Sequence, residues 1–278
     1  MTYERRNTIT SLHGHHYDTR GIVREGANPV AHLVNSGPLP DALNLVKGRT
    51  PYVSIDIETT GIDYDYCQIL EFGAVIDDWV TPLDKLPRFH AYLIHDRIQG
   101  EPFALAMNAE ILRRIANRNK PECADYTFIE PSKLAGMFQF WANSYDVFCA
   151  GHSGKSLVPS GKNFAGFDRP FLKRLPEWSE RVNVLHRCID PAMLYWDRTK
   201  DVEPPSTKQC YERAGIKEEV AHNAVEDAIG IIRLIRASEN AGDITIGDIN
   251  IAVNDESDPK GLGRRLMSEL RRRGHRLV

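Results

Sequence analysis

The run Tyr52-Val53-Ser54-Ile55-Asp56-Ile57-Glu58-Thr59-Thr60-Gly61 decides how the rest of the chain is read. Its first half is rich in β-branched and aromatic residues, and Thr60-Gly61 signals a turn, so it predicts a short strand that ends abruptly. Residues two apart in a strand project from the same face. Asp56 and Glu58 therefore lie side by side at the C-terminal edge of an otherwise apolar strand. Acidic residues also collect where strand ends fray into solvent, so this pair alone leaves a site and a solvated edge equally open.

Working outward, residues 69–76 and 89–94 read as two further strands with short links, which predicts an antiparallel meander. Helical spacing follows over 104–116 and 132–143, then a buried strand at 147–150 and a weaker one at 184–189. Helices at 167–175, 206–214 and 223–238 complete the pattern. Strands first, then alternating helix and strand, predict an α/β mixed sheet with helices packed on its faces. No internal repeat or low-complexity tract interrupts it.

A third acid shifts the balance at Asp56 and Glu58. In Asn223-Ala224-Val225-Glu226-Asp227-Ala228-Ile229-Gly230-Ile231-Ile232-Arg233-Leu234, residues Ala224, Asp227, Ile231 and Leu234 fall on one apolar helical stripe. A charged acid on such a face needs a partner. No Lys or Arg stands three or four positions away, so the compensating cation comes from elsewhere, and a metal ion is an economical source. Asp168 is a fourth acid, alternatively explained as a helix N-terminal residue favoured by the macrodipole ahead of Pro170. His222, at the start of the last helix, is by itself a capping or surface residue. Beside divalent ions, a neutral imidazole there is placed to accept a proton from an attacking water near neutral pH.

Taken together, Asp56-x-Glu58-Thr59-Thr60-Gly61, Asn163-x-x-x-Phe167-Asp168 and His222-x-x-x-x-Asp227 resemble the three motifs of the DEDDh 3′–5′ exonucleases. That family is the DnaQ-like, RNase T-like branch of the ribonuclease H-like superfamily. Five functional positions recur in order over residues 50–240, and His222 in place of tyrosine marks the h branch. Ile69-Leu70-Glu71-Phe72-Gly73-Ala74 resembles the family's second strand, and Asp190-Pro191 its strand end before the final helices. The chain departs from the family around 151–163: residues 158–163 are a candidate for the strand end before the second motif, which makes 151–156 an inserted turn.

The resemblance implies a ribonuclease H-like five-stranded sheet with its second strand antiparallel and helices on both faces. It implies two Mg²⁺ or Mn²⁺ ions, with Asp56 bridging them, Glu58 and Asp227 completing the first site, and Asp168 acting through water. Hard cations want oxygen ligands, which four carboxylates supply. His222 is implied as the general base, and the expected products are nucleoside 5′-monophosphates released from single-stranded DNA or RNA 3′ ends. Thr59, Thr60, Gly61, Asn163 and Phe164 are the expected substrate contacts. Phe164 and Phe167 are candidates to stack on bases, with core packing as the alternative, favoured for Phe167. A non-catalytic nucleic-acid or protein adaptor and a metal-dependent phosphohydrolase of non-polymeric nucleotides are the competing functions. A homodimer is worth testing.

The chain has 278 residues, 42% of them hydrophobic and 26% charged, which is enough apolar material for a real core. No run approaches the roughly 18 apolar residues that span a bilayer. The first residues lack a secretory apolar stretch, so the expected location is cytoplasmic. Five cysteines (67, 123, 149, 188, 210) without a C-x-x-C pair argue against a disulfide framework or zinc knuckle. Residues 1–50 carry a charge of +2 and read as an irregular extension, with His13-Gly14-His15-His16 as a surface loop; residues 51–240 carry -6. Residues 241–278 read as a hairpin followed by a basic amphipathic helix, with Leu262, Leu266 and Leu270 spaced by four. That tail either tracks a phosphate backbone or packs its leucines on the body. Gly151-His152-Ser153-Gly154-Lys155-Ser156 imitates a phosphate-binding loop, but Cys149 stands where glycine is required and no helix follows.

Overall fold

The computed structural model describes residues 9–10, 16–17, 50–145, 147–151, 154–217 and 223–240. The C-terminal hairpin and basic helix, and most of the N-terminal extension, lie outside the described residues. Residues 1–50 read as irregular, yet Ile9–Thr10 pairs antiparallel with His16–Tyr17.

The main sheet has five strands: β1 (Tyr52–Thr59), β2 (Ile69–Asp77), β3 (Arg88–Leu93), β4 (Phe128–Ile129) and β5 (Pro159–Ser160). Their order is β4-β3-β2-β1-β5. β2 is antiparallel to both β1 and β3, while β5 runs parallel to β1 and β4 parallel to β3. This is the mixed sheet, antiparallel at its second strand, that the resemblance implies. β2 is buried along its whole length, as a central strand covered on both faces must be.

The helices are α1 (Pro102–Met107), α2 (Ala109–Ala116), α3 (Pro131–Ser144), α4 (Asp168–Arg174), α5 (Thr207–Ala214) and α6 (Ala224–Asn240), with short turns at Trp178–Arg181 and Pro191–Leu194. One face of the sheet packs Phe72 and Phe89 against Phe138, Trp141 and Trp178, an aromatic cluster of edge-on and stacked rings. The opposite face packs Tyr52, Val75 and Leu86 against Val225, Ala228, Ile229, Ile232 and Ile235 of α6. Helices therefore cover both faces. None of the described helices is long and apolar enough to cross a membrane. Cys67, Cys123, Cys188 and Cys210 are free thiols.

Three sequence expectations need correction. A buried strand is expected at 147–150, but Cys149–Gly151 folds back on Gly154–Ser156 as an antiparallel hairpin outside the main sheet. The place beside β1 goes to Pro159–Ser160, paired with Val53 and Ser54. Pro159 has no N–H to contribute, which keeps that ladder short. The segment at 184–189 forms no regular strand and runs parallel to 157–160 through the isolated bridges Leu157 to Val184 and Ser160 to Ile189. The single helix expected over 104–116 is broken at Asn108, whose side chain turns inward and donates to the Thr59 carbonyl at 2.8 Å. As expected, the phosphate-loop imitation opens no helix: Gly154–Ser156 is a strand of that hairpin.

Candidate active site

β1 and α6 converge at one edge of the sheet. β1 presents Asp56 opposite Gly73 and Glu58 opposite Glu71 of β2, and a bulge after Glu58 ends the regular pairing. α6 lies directly on β2 at Gly73: a Cβ there would fall 2.4 Å from the Ala224 carbonyl carbon and 2.5 Å from the Val225 nitrogen. Only a glycine permits so close an approach. It brings Asp227, in the first turn of α6, to Asp56 and Glu58, and one oxygen from each of the three carboxylates lies within 4.8 Å of the others. Asp168, at the first position of α4, is 3% exposed and close enough to act on Asp56 electrostatically.

The electrostatics follow from this crowding. Burial pushes the Asp56 carboxyl well above its ordinary value, reinforced by the charges of Asp168, Asp227, Glu58 and Glu71. Burial, then Glu71 and Asp227, raises Glu58 to about 7, against a hydrogen bond from Asn108. Burial raises Asp168 to about 8, against backbone hydrogen bonds at Asp168 and Ile57. The largest causes acting on Asp56 are burial and other carboxylates. Such a group either takes up protons or holds a hard cation, and its donor set of clustered carboxylate oxygens fits Mg²⁺ or Mn²⁺.

His222 lies outside the described residues. Its neighbour Asn223 is described: the Oδ1 atom accepts from the Glu226 N–H at 3.2 Å and caps α6, while Nδ2 donates to Glu71 Oε1 at 3.1 Å.

Among the expected substrate contacts, the side chains of Thr59, Thr60 and Phe164 are buried. Thr60 is fully buried, and its hydroxyl donates to the Gln99 carbonyl and accepts from the Gln68 N–H. Thr59 is 6% exposed and donates to the Gly61 carbonyl at 2.7 Å. Asn163 has a left-handed backbone (φ 54°), and its N–H donates to Asp190 Oδ2. Phe164 is fully buried in the aromatic core with the Arg169 guanidinium over its ring, so it is not a stacking platform. Phe167 packs against the same core and against Phe171, as favoured.

Three residues escaped the sequence reading. Glu71 is a fifth, fully buried carboxyl, hydrogen-bonded to His90 Nε2 at 2.5 Å and to Asn223. It reads as one polar residue in an otherwise apolar stretch, and only the cross-strand register reveals that it faces Glu58. His90 had no motif around it. Asn108 sat within a helical pattern, and an Asn interrupting such a run was the available signal.

Fold and site together define an α/β protein with a five-stranded mixed sheet, helices on both faces and four acidic side chains gathered about the end of β1. No protein-family model matches the chain, and no curated protein matches it. Among solved structures, the chain is similar to Schizosaccharomyces pombe Pop2p in its Mg²⁺- and Mn²⁺-bound form (13% identity, TM-score 0.48, covering 71% of this chain and 86% of that one). It is also similar to Escherichia coli Exonuclease I in complex with a dT13 oligonucleotide (16%, 0.44, 68% and 40%). A third likeness is to the Exonuclease I of Methylocaldum szegediense (15%, 0.44, 81% and 46%). The match thus spans less than half the length of either Exonuclease I.

Proposed function

We propose that the chain is a metal-dependent 3′–5′ exonuclease acting on single-stranded DNA or RNA. The observation that carries this reading is the convergence of the half-buried Asp56, Glu58 and Asp227 within 4.8 Å, where desolvation and mutual repulsion oppose the ionisation of Asp56 and Glu58. Asp56, Glu58 and Asp227 would hold the first of two divalent ions, with Asp56 shared by the second and Asp168 acting through water. When bound, the ions supply Lewis acidity to the phosphoryl group and make water acidic enough to attack near neutral pH.

The remaining roles belong to the chain itself. His222 removes a proton from the attacking water. The water oxygen bonds to phosphorus, the bond from phosphorus to the departing 3′-oxygen breaks, and that oxygen takes a proton. A nucleoside 5′-monophosphate leaves, and the shortened strand keeps a 3′-hydroxyl. Thr59 to Gly61 hold the end of β1, Thr59 by donating to the Gly61 carbonyl and Thr60 by donating to the Gln99 carbonyl, so they serve as a rigid support for Glu58. Asn163 likewise shapes the entry to α4 and so places Asp168.

The test is a gel time course on 5′-labelled single-stranded RNA and DNA with Mg²⁺, Mn²⁺ or EDTA, using the unaltered chain and Asp227→Asn. The expected result is a ladder shortening from the 3′ end that disappears with EDTA and with the substitution. Intact oligomers under every metal condition, with binding retained, would replace the enzyme by an adaptor. Turnover of free nucleotides alone would point to a phosphohydrolase of small substrates.

A further inference from the structure

Two strands further along the same sheet face lies a polar cleft of about 430 Å³ that the proposed chemistry does not use. The register pairs Glu71 with Tyr92 and Gly73 with His90, so this face runs from Glu58 and Asp56 on β1, through β2, to Tyr92 and His90 on β3. Two strand spacings separate the acids from the cleft, roughly 10 Å. The two regions share a wall, because Asn223 and His90 line the cleft and both hydrogen-bond to Glu71.

The lining combines cations with an aromatic ring. Arg88 reaches in from β3, and its Nε is buried with no hydrogen-bond partner among the described residues. Arg114 of α2 donates to the Tyr92 hydroxyl and lies 4.5 Å from the ring centroid of Tyr126, which stiffens both against the cleft wall. Tyr126 is 37% exposed. Two acids, Asp125 and Glu226, also line the cleft; both are exposed, and Glu226 sits 3.6 Å from Arg88. Guanidinium groups beside an accessible aromatic ring match a phosphate carried next to a planar base.

We propose that this cleft binds one nucleotide unit of the substrate strand, upstream of the scissile phosphate, with Arg88 and His90 facing its phosphate and Tyr126 its base. The inference rests on the exonuclease reading of the neighbouring acids. It makes the chain prefer oligomers over mononucleotide esters, since only an oligomer reaches both places.

The experiment compares the full chain with Tyr126→Ala, Tyr126→Phe and Arg88→Gln on two substrates. One is a 5′-labelled single-stranded oligomer, and the other is the p-nitrophenyl ester of thymidine 5′-monophosphate, which occupies the reaction centre alone. Tyr126→Ala and Arg88→Gln should raise the oligomer KM by roughly 5- to 100-fold, as loss of a stacked base does. Ester hydrolysis should be unchanged, and Tyr126→Phe should behave as the unaltered chain. Equal losses on both substrates, or no change in oligomer KM, would overturn the subsite. Anisotropy of a fluorescein-labelled oligomer in EDTA separates the two proposals. Hydrolysis of neither substrate, with weaker binding by Tyr126→Ala, would overturn the exonuclease reading and keep the subsite. Hydrolysis of both with unaltered binding would do the reverse, and a free thymidine 5′-monophosphate competitor that displaces the oligomer only at millimolar excess would locate the affinity in the strand.

Discussion

Without divalent cations, this protein should become less stable as pH rises from about 5 to about 8, opposite to the usual behaviour of paired carboxylates. Glu58 is raised from 4.5 to about 7 and Asp168 from 3.8 to about 8, both chiefly by burial. The native state therefore keeps protons that the unfolded chain has already released. Between those values the unfolded state binds fewer protons than the native state, so the slope of unfolding free energy against pH is negative. The favourable contribution is complete below about pH 4 and is lost as pH passes through 7 to 8. Each pKa unit corresponds to about 1.36 kcal/mol, so Glu58 alone accounts for about 3 kcal/mol. Asp168 adds less than its own shift implies, because Glu58 is one cause of that shift. A loss of about 3 kcal/mol corresponds to a fall of roughly 6–12 °C in Tm for a chain of this size. Thermal unfolding followed by circular dichroism in EDTA, at pH 5, 6, 7 and 8, reads this directly. The double variant Glu58→Gln, Asp168→Asn should show a flatter profile, and excess Mg²⁺ at the upper end should restore the unaltered chain but not the variant. Equal slopes for both proteins, or no Mg²⁺ effect, would refute the argument that crowded carboxylates are held above their ordinary pKa.

Other substitutions probe the frame around the acids. Gly73→Ala should destabilise by about 1–3 kcal/mol through overpacking, and Mn²⁺ affinity by titration calorimetry should fall further than for a core substitution of equal stability, because α6 carries Asp227. Arg236→Met should cost about 3–5 kcal/mol in urea unfolding, because it leaves the fully buried Asp77 without its bidentate partner. Asn108→Ala should cost about 1–3 kcal/mol by stranding the Thr59 carbonyl, and the acidic limb of the pH–rate profile should move upward as Glu58 loses a hydrogen bond that lowers its pKa.

The regular elements were legible because each carried its own period. The strands at 52–59, 69–77 and 88–93 and the helix at 224–240 are long enough for side-chain alternation or a helical stripe to declare them. The acids were legible because Asp56 and Glu58 share a strand face and Asp227 breaks an apolar stripe. What escaped depended on partners distant in sequence. Pro159–Ser160 falls inside the candidate strand end at 158–163, but it is too short to show a period, and its extent is set only by lying against Val53 and Ser54. Glu71 reads as one polar residue in an apolar strand until register sets it opposite Glu58. Phe164 and Thr60 stand within motifs that suggested contact with substrate, yet their side chains face inward. A motif identifies which residues gather at a site, while the direction each side chain takes is decided by packing.

The position of Asp227 is set by a strand that contributes none of the four expected metal-holding acids. β2 grips α6 at two points: Glu71 accepts from Asn223 at the helix start, and Asp77 pairs with Arg236 near its end. The six residue steps from Glu71 to Asp77 span roughly 20 Å of strand. The thirteen steps from Asn223 to Arg236 span roughly 20 Å of helix. The two clamps are thus commensurate, and Gly73 lets the backbones touch between them. Such a frame is needed because the carboxylates repel, and the separation that relieves them is a lift of α6 from the sheet. Arg236 also donates to the Thr81 carbonyl, which ties the same clamp to the turn after β2. The anchor at the far end of the helix, where no acid of the cluster lies, therefore holds the cluster together. Loosening it at Arg236 should weaken Mn²⁺ binding at Asp227 as well as lower the stability of the fold.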